Sequence, residues 1–316
     1  MRTSLIALVL LALAALYPLA FPHLLSIAIF FLILAGWATA WDILGGWTGQ
    51  TSLGHAAFVG LGSYTLAILA NRYGLAPWWG ALSGMALAAL LAWIWGKLTF
   101  KLRGPYFTLS TIAIAEILRL VAIEEKWLTQ GAEGVFIFSL EQPFGFDLFD
   151  RQVEYYAALL YLVLVLLLVG WLVQGKFGYQ MRAVREDEEA AQAAGINPER
   201  VKLIAFMLSG ALTALGAAIY AVFLSYLEPH DIFFLPLSVQ IALTAIIGGR
   251  GTLFGPLTGA LLLVGAGEVF RNTFAEANLL IYGILIVLVV LFLPRGLIGA
   301  WRYRAIRRRY ARSAQR

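Results

Sequence analysis

The most chemically loaded stretch of the chain is Glu186, Asp187, Glu188 and Glu189, followed at once by Ala190, Ala191, Gln192, Ala193, Ala194 and Gly195. Four acidic residues at a helix start are favoured by the backbone dipole, and alanine is the strongest helix former. Gly195 offers the left-handed residue that ends a helix, with Ile196 and Pro198 beyond it. The pattern predicts a surface helix of two or three turns over 186–195. A helix this short is marginal in water by itself, so it needs a surface. That surface is either a groove on another protein, into which the small alanine face fits, or the helix's own bundle.

Other residues also invite a chemical reading. Glu116 and Arg119 stand three apart inside an apolar run, as do Glu268 and Arg271, and each couple falls on one helix face. Charges inside apolar spans are functional candidates. The favoured reading is that they are structural pairs, with Arg271 reaching out to the interface. Thr48, Gln50, Thr51, Ser52 and His55 form one polar cluster, and Tyr106, Thr108, Ser110 and Thr111 another. Gly45, Gly46, Gly49 and Gly54 interleave with the first. Gly248, Gly249, Gly251 and Gly255, before Pro256, form a second glycine segment. Such breaks either line a ligand path or make tight turns with close helix packing.

Several chemistries are not supported. Gly170 through Gly175-Lys176 resembles a phosphate-binding loop, but Phe177 stands where a magnesium-binding hydroxyl is required. This predicts a helix end, and no nucleotide hydrolysis by the chain itself. His23, His55 and His230 lack metal-ligand spacing, and no Ser/His/Asp arrangement is visible. The chain has no cysteine, which excludes disulfides and thiolate metal sites. No catalytic residue, metal site or cofactor is assigned.

The elements that position these residues follow from composition. Of 316 residues 61% are hydrophobic and 13% charged, against nearer a quarter charged in soluble domains. Uncharged windows run Ser4–Ala20, Leu24–Trp41, Pro77–Gly96, Tyr155–Val173, Leu203–Leu227, Ile232–Gly249, Gly251–Gly267 and Ala277–Pro294. Thr51–Asn71 and Phe107–Ile123 add two more with a few polar residues. Each is near the 20 residues or so that cross a bilayer, and in lipid the backbone must bond to itself. The fold class is therefore all-α: a polytopic transmembrane helical bundle of about ten spans. The first window reads as a signal-anchor helix rather than a cleaved leader.

Positive charge sets the orientation. Arg295, Arg302, Arg304, Arg307, Arg308, Arg309, Arg312 and Arg316 crowd the tail at 295–316. Placing that tail inside puts both termini in the cytoplasm, with the 97–104 and 174–202 loops. Of the 23 Lys and Arg residues, Arg72, Arg119, Lys126, Arg151 and Arg271 then fall elsewhere. A basic tail beside a span anchors to anionic lipid, so no nucleic-acid partner is expected. Trp78 and Trp79, with Trp93 and Trp95 at the other end of the same window, read as interfacial belts. The outer loop Glu124–Glu154 is acidic and reads either as a partner surface or as a solvated loop.

Glu189-Ala190-Ala191 with Gly195 resembles the EAA loop of importer-type ABC permeases. Further segments resemble the branched-chain amino acid permease family, its LivM-type member in particular. They are Gly46-Trp-Thr-Gly-Gln-Thr-Ser-Leu-Gly-His55, Leu102-Arg-Gly-Pro-Tyr-Phe107, Gly248-Gly-Arg-Gly-Thr252 with Gly255-Pro256, and Pro294-Arg-Gly-Leu-Ile-Gly299. Thr129-Gln130-Gly131 departs from the family's Thr-Gly-Gly-like run. The resemblance implies one permease domain over 1–316, with 174–202 as the loop coupled to an ATPase through Arg185, Glu186, Glu189, Ala190, Ala191 and Gly195. It also implies a second related permease subunit, two cytoplasmic ATPase subunits that bind the ATP and magnesium, and an extracytoplasmic substrate-binding protein. The cargo would be leucine, isoleucine and valine or related small polar solutes, across the inner membrane. Gly49, Gln50, Ser52, Gly54, His55, Tyr106 and Thr108 are candidate translocation-pathway residues. The competing reading is an ion-coupled secondary transporter with Glu116 or Glu268 as the titrating group.

Overall fold

The computed structural model describes residues 13–100, 105–137, 147–273, 283 and 296–299. The Ala277–Pro294 window, most of the 295–316 tail, residues 101–104 and part of the acidic outer loop lie outside these residues. So does most of the first window, whose residues 13–20 are helical (α1).

After a single 3-10 turn at Pro22–Leu24 the chain forms α2 (Leu25–Gly45), α3 (His55–Tyr73), α4 (Pro77–Thr99) and α5 (Pro105–Glu124). Short α6 (Lys126–Thr129) and β1 (Val135–Phe136) precede α7 (Arg151–Gln174). Next come α8 (Lys176–Glu186), α9 (Glu188–Ala193) and α10 (Pro198–Leu224). The two residues of β2 (Tyr226–Leu227), then α11 (Pro229–Ile232), α12 (Leu235–Gly248) and α13 (Gly255–Thr273) complete the described part. Among the described residues, six helical stretches are long and apolar enough to cross a membrane: Pro22–Gly45, Pro77–Thr99, Pro105–Glu124, Arg151–Gln174, Pro198–Leu224 and Pro229–Gly248. The protein is an all-α, multi-pass membrane protein. Helices α3 and α13 have 19 residues each, about 28 Å at 1.5 Å per residue, and pack among the six.

α10 is the axis of the bundle, packing on α2, α3, α4 and α7. Its start is set locally: Asn197 caps the Arg200 amide at 3.0 Å and Pro198 occupies the first turn. Large side chains then fill the seams. Trp37 donates to the Thr213 carbonyl at 3.0 Å, and the Tyr161 hydroxyl donates to the Leu212 carbonyl at 3.1 Å.

Polar contacts sort the connections into two ends. Residues 46–54, the α5 start, α8, α9, the α10 start and 249–254 meet at one end. At the other, Asn71 donates to the Phe136 carbonyl at 2.6 Å. There β1 pairs antiparallel with β2, Val135 opposite Leu227 and Phe136 opposite Tyr226.

Three expectations need correction. The Thr51–Asn71 window is helical only from His55, for a reason given below. Trp78, Trp79 and Trp93 are exposed as belt residues should be, but Trp95 is 1% exposed. Its ring lies 5.5 Å from Phe206 and 6.0 Å from Phe58, because α4 turns that face onto α10 and α3. Glu154 is not a solvated loop acid: it is 3% exposed and pairs with Arg151 at 2.7 Å inside the first turn of α7.

Candidate functional site

Between α2 and α3 the backbone unwinds over 46–54, and its polar groups are taken up by side chains from elsewhere. The Thr51 carbonyl accepts from the Thr108 hydroxyl at 2.8 Å, and the Ser52 carbonyl accepts from Trp41 Nε1 at 2.7 Å. The Leu53 amide donates to Thr111 Oγ1 at 3.0 Å. With these bonds made elsewhere the helix cannot begin before His55. Broken backbone of this kind persists in a membrane bundle only where protein or water covers it. Here protein covers it: Ser52 and His55 are fully buried. His55 bridges Ser52 Oγ at 3.2 Å through Nδ1 and Ser209 Oγ on α10 at 2.8 Å through Nε2. A side chain added at Gly54 would strike the Thr111 carbonyl and Trp95.

Residues 249–254, between α12 and α13, form a matching break. Gly251 has φ +67°, a left-handed conformation open to glycine at little cost. Gly248 and Gly255 approach backbone to backbone. Gly296 packs against Gly249, so the described part, 296–299, of the Pro294–Gly299 segment singled out in the sequence reaches this junction.

The third component is the 174–202 loop, and here the expected two- or three-turn helix over 186–195 is corrected. Glu186 is the last residue of α8, and the acidic-alanine helix is α9, Glu188–Ala193, six residues long. Asp187 divides them. Its backbone is extended (φ −160°, ψ 115°), and its carboxylate accepts from the Glu189 amide at 2.9 Å and the Ala190 amide at 3.0 Å. An aspartate capping the next helix cannot also continue the previous one. The helix therefore does not stand alone: α8, buried through Gly178, Met181 and Val184, is its base. Gly195 has φ +83°, the expected left-handed stop. Ala191 turns inward and is buried, while Glu186, Glu189, Ala190 and Gly195 are exposed.

The three segments meet. Arg185 Nη1 donates to the Gly46 carbonyl at 3.1 Å, and its side chain lies along Gly49. Gln50 Nε2 donates to Glu188 Oε1 at 3.2 Å, and Glu188 also pairs with the buried Lys202 at the α10 start. Among the candidate pathway residues, Gly49, Gln50, Ser52, Gly54, His55 and Thr108 thus belong to one joint. Tyr106, 67% exposed, stands apart on the open face of α5.

Asp42 is a residue that sequence reasoning missed. It is 1% exposed at the end of α2, and its carboxylate oxygens accept from the Gly251 amide at 2.9 and 3.1 Å. It sits one position past the uncharged Leu24–Trp41 window. A lone acid between Trp41 and a glycine pair, at a membrane-span end, was the available signal. The charged couples form as spaced: Arg119 to Glu116 at 2.9 Å and Arg271 to Glu268 at 2.7 Å. Arg119 also contacts His230 Nδ1 at 3.0 Å, a partner 111 residues away. No His, Asp and Glu group able to hold a metal occurs among the described residues.

Comparison with known proteins bears on what this joint serves. The chain is 30% identical over 284 residues to the high-affinity branched-chain amino acid transport system permease protein LivM of Escherichia coli (strain K12) and, equally, to that of Salmonella typhimurium. Each match covers 83% of this chain and 66% of the relative, so the chain spans just under two thirds of these relatives' length. It is also 27% identical over 254 residues to the fructose import permease protein FrcC of Rhizobium meliloti, covering 77% of this chain and 70% of that one. The family model described as branched-chain amino acid transport system, permease component, matches residues 23–290, and the chain belongs to that family.

Proposed function

We propose that the protein is the membrane-spanning permease subunit of an ABC importer of branched-chain amino acids, and that α8–α9 is its coupling element. The observation that carries this reading is the split character of that element. One side is anchored in the bundle through Arg185, Glu188 and Ala191. The other presents Glu186, Glu189, Ala190 and Gly195 outward. An element that is clamped to the 46–54 break and the α10 start and exposed on its far side suits the receipt of a mechanical input from a separate subunit. In this reading 1–316 acts as one permease domain of about ten spans, with both termini and the 174–202 loop cytoplasmic and the 295–316 tail on anionic lipid.

The partners are a second related permease, two ATPases supplying the ATP and magnesium chemistry, and an extracytoplasmic binding protein, at the inner membrane. This chain contributes no catalytic group. The cargo assignment rests on the two LivM relatives. The fructose-named relative marks how far solute identity varies among similar chains, so leucine, valine and fructose belong side by side in the uptake assay. The ion-coupled alternative loses ground because each candidate titrating carboxylate is already engaged by an arginine.

Changing Glu189→Lys and Gly195→Trp together, in the complete transporter, is expected to abolish ATP-driven uptake while membrane insertion stays normal. Unchanged uptake removes the coupling role. The natural chain lacks cysteine, so Glu189→Cys gives a clean label. Modification from the cytoplasmic face supports the orientation, and modification only from outside reverses it.

A further inference from the structure

The position of Asp42 is difficult to explain by packing alone. A buried carboxylate is costly unless its oxygens are well satisfied, and replacing buried charged groups by apolar ones of similar size often leaves stability unchanged or improved. Asp42 nevertheless lies in a tightly packed corner of the bundle. A side chain on Gly46 would meet the Gly251 amide at 2.5 Å, and one on Gly251 would meet Arg185 Nη1 at 2.6 Å and the Gly46 carbonyl at 3.1 Å. The end of α2, the α12–α13 turn and the end of α8 therefore touch at one point. Asp42 holds the first to the second through the Gly251 amide, and Arg185 holds the first to the third through the Gly46 carbonyl.

We infer that Asp42 and Arg185 form one latch, with Asp42 as a positioning residue for transport. The latch makes the α12–α13 turn follow any displacement of α8–α9, so that force received at the exposed α9 reaches the interior helices rather than bending the loop. This rests on the coupling reading above. Without the latch, α8–α9 remains tethered through Glu188 to Gln50 and Lys202, which reach 46–54 and α10 but not 249–252.

The test uses the complete transporter, with both permeases, both ATPases and the binding protein, in proteoliposomes. The readout is leucine imported per ATP hydrolysed. A simple loss of folded protein lowers both quantities and leaves their ratio in place. Asp42→Asn keeps the side-chain size and halves its acceptor capacity. It is expected to lower the ratio on the order of tenfold, within the range of ordinary site-to-site coupling. Arg185→Gln is expected to lower it comparably, and the double variant no further than the worse single one, because two parts of one latch do not add.

An unchanged ratio in both single variants overturns the inference, as does strict additivity in the double variant. If Asp42→Asn prevents assembly, Asp42 is structural and the inference also fails. Loss of ATP-dependent uptake in the unsubstituted transporter would instead sink the importer reading itself, so the two failures are distinct.

Discussion

The two ends of the bundle are built on different principles. At the α8–α9 end, buried and half-buried polar contacts tie the breaks to the bundle: Asp42 to Gly251, Trp41 to Ser52 and Arg185 to Gly46 through backbone groups, and His55 to Ser209 between side chains. At the opposite end exposed contacts stand beside a few buried ones, such as the Tyr64 hydroxyl to the Leu227 carbonyl and the Thr129 hydroxyl to the Ala122 carbonyl. Arg72 stacks over Trp127 at 5.3 Å, and the Tyr226 hydroxyl donates to the Glu133 carbonyl at 2.8 Å. A two-residue ladder with the Phe136 and Tyr226 rings 4.5 Å apart completes the tie. Buried bonds are strong because breaking one strands a desolvated partner. Exposed ones exchange readily with water. The joint at the first end is therefore expected to resist opening more than the exposed ties of the second.

That contrast is open to direct attack. The largest effect is expected at His55→Ala, which removes a fully buried ring, strands the Ser209 hydroxyl, takes one of two partners from the Ser52 hydroxyl and opens a gap beside Phe58. The loss should be on the order of 3 kcal/mol, read from denaturant unfolding in lipid nanodiscs. Gly251→Ala comes next. It forces a side chain into left-handed backbone and against Arg185, for about 2 kcal/mol, with a matching drop in transport coupling. Arg72→Gln at the other end should cost under about 1 kcal/mol, as exposed cation–aromatic contacts do. An Arg72→Gln loss as large as that of His55→Ala would erase the distinction between the ends. Amide hydrogen exchange sharpens it further: residues 50–56 should exchange far more slowly than residues 126–137.

Much of this architecture is legible in the linear chain. The span windows near Leu24–Trp41, Pro77–Gly96 and Tyr155–Val173 match α2, α4 and α7 because a lipid-embedded segment must satisfy its own backbone, a purely local demand. The Gly195 stop is equally local. The helix over 186–195 was misplaced because Asp187 looks like one more helix-favouring acid until its extended backbone and two capping bonds are seen. Trp95 was misassigned because belt and core tryptophans have the same hydrophobicity, and only the facing helix distinguishes them.

What the sequence by itself determined is the membrane class, the helix ends fixed by proline, glycine and capping residues, and the acidic-alanine element that carries the family resemblance. The joint was decided by tertiary structure. Asp42 and Gly251 are 209 residues apart, Arg185 and Gly46 are 139 apart, and Gln50 and Glu188 are 138 apart. Hydrophobic periodicity reports which face of a helix is buried. Which buried acid meets which glycine amide depends on how the helices cross, and that is settled only when α2, α8 and the α12–α13 turn close on one another.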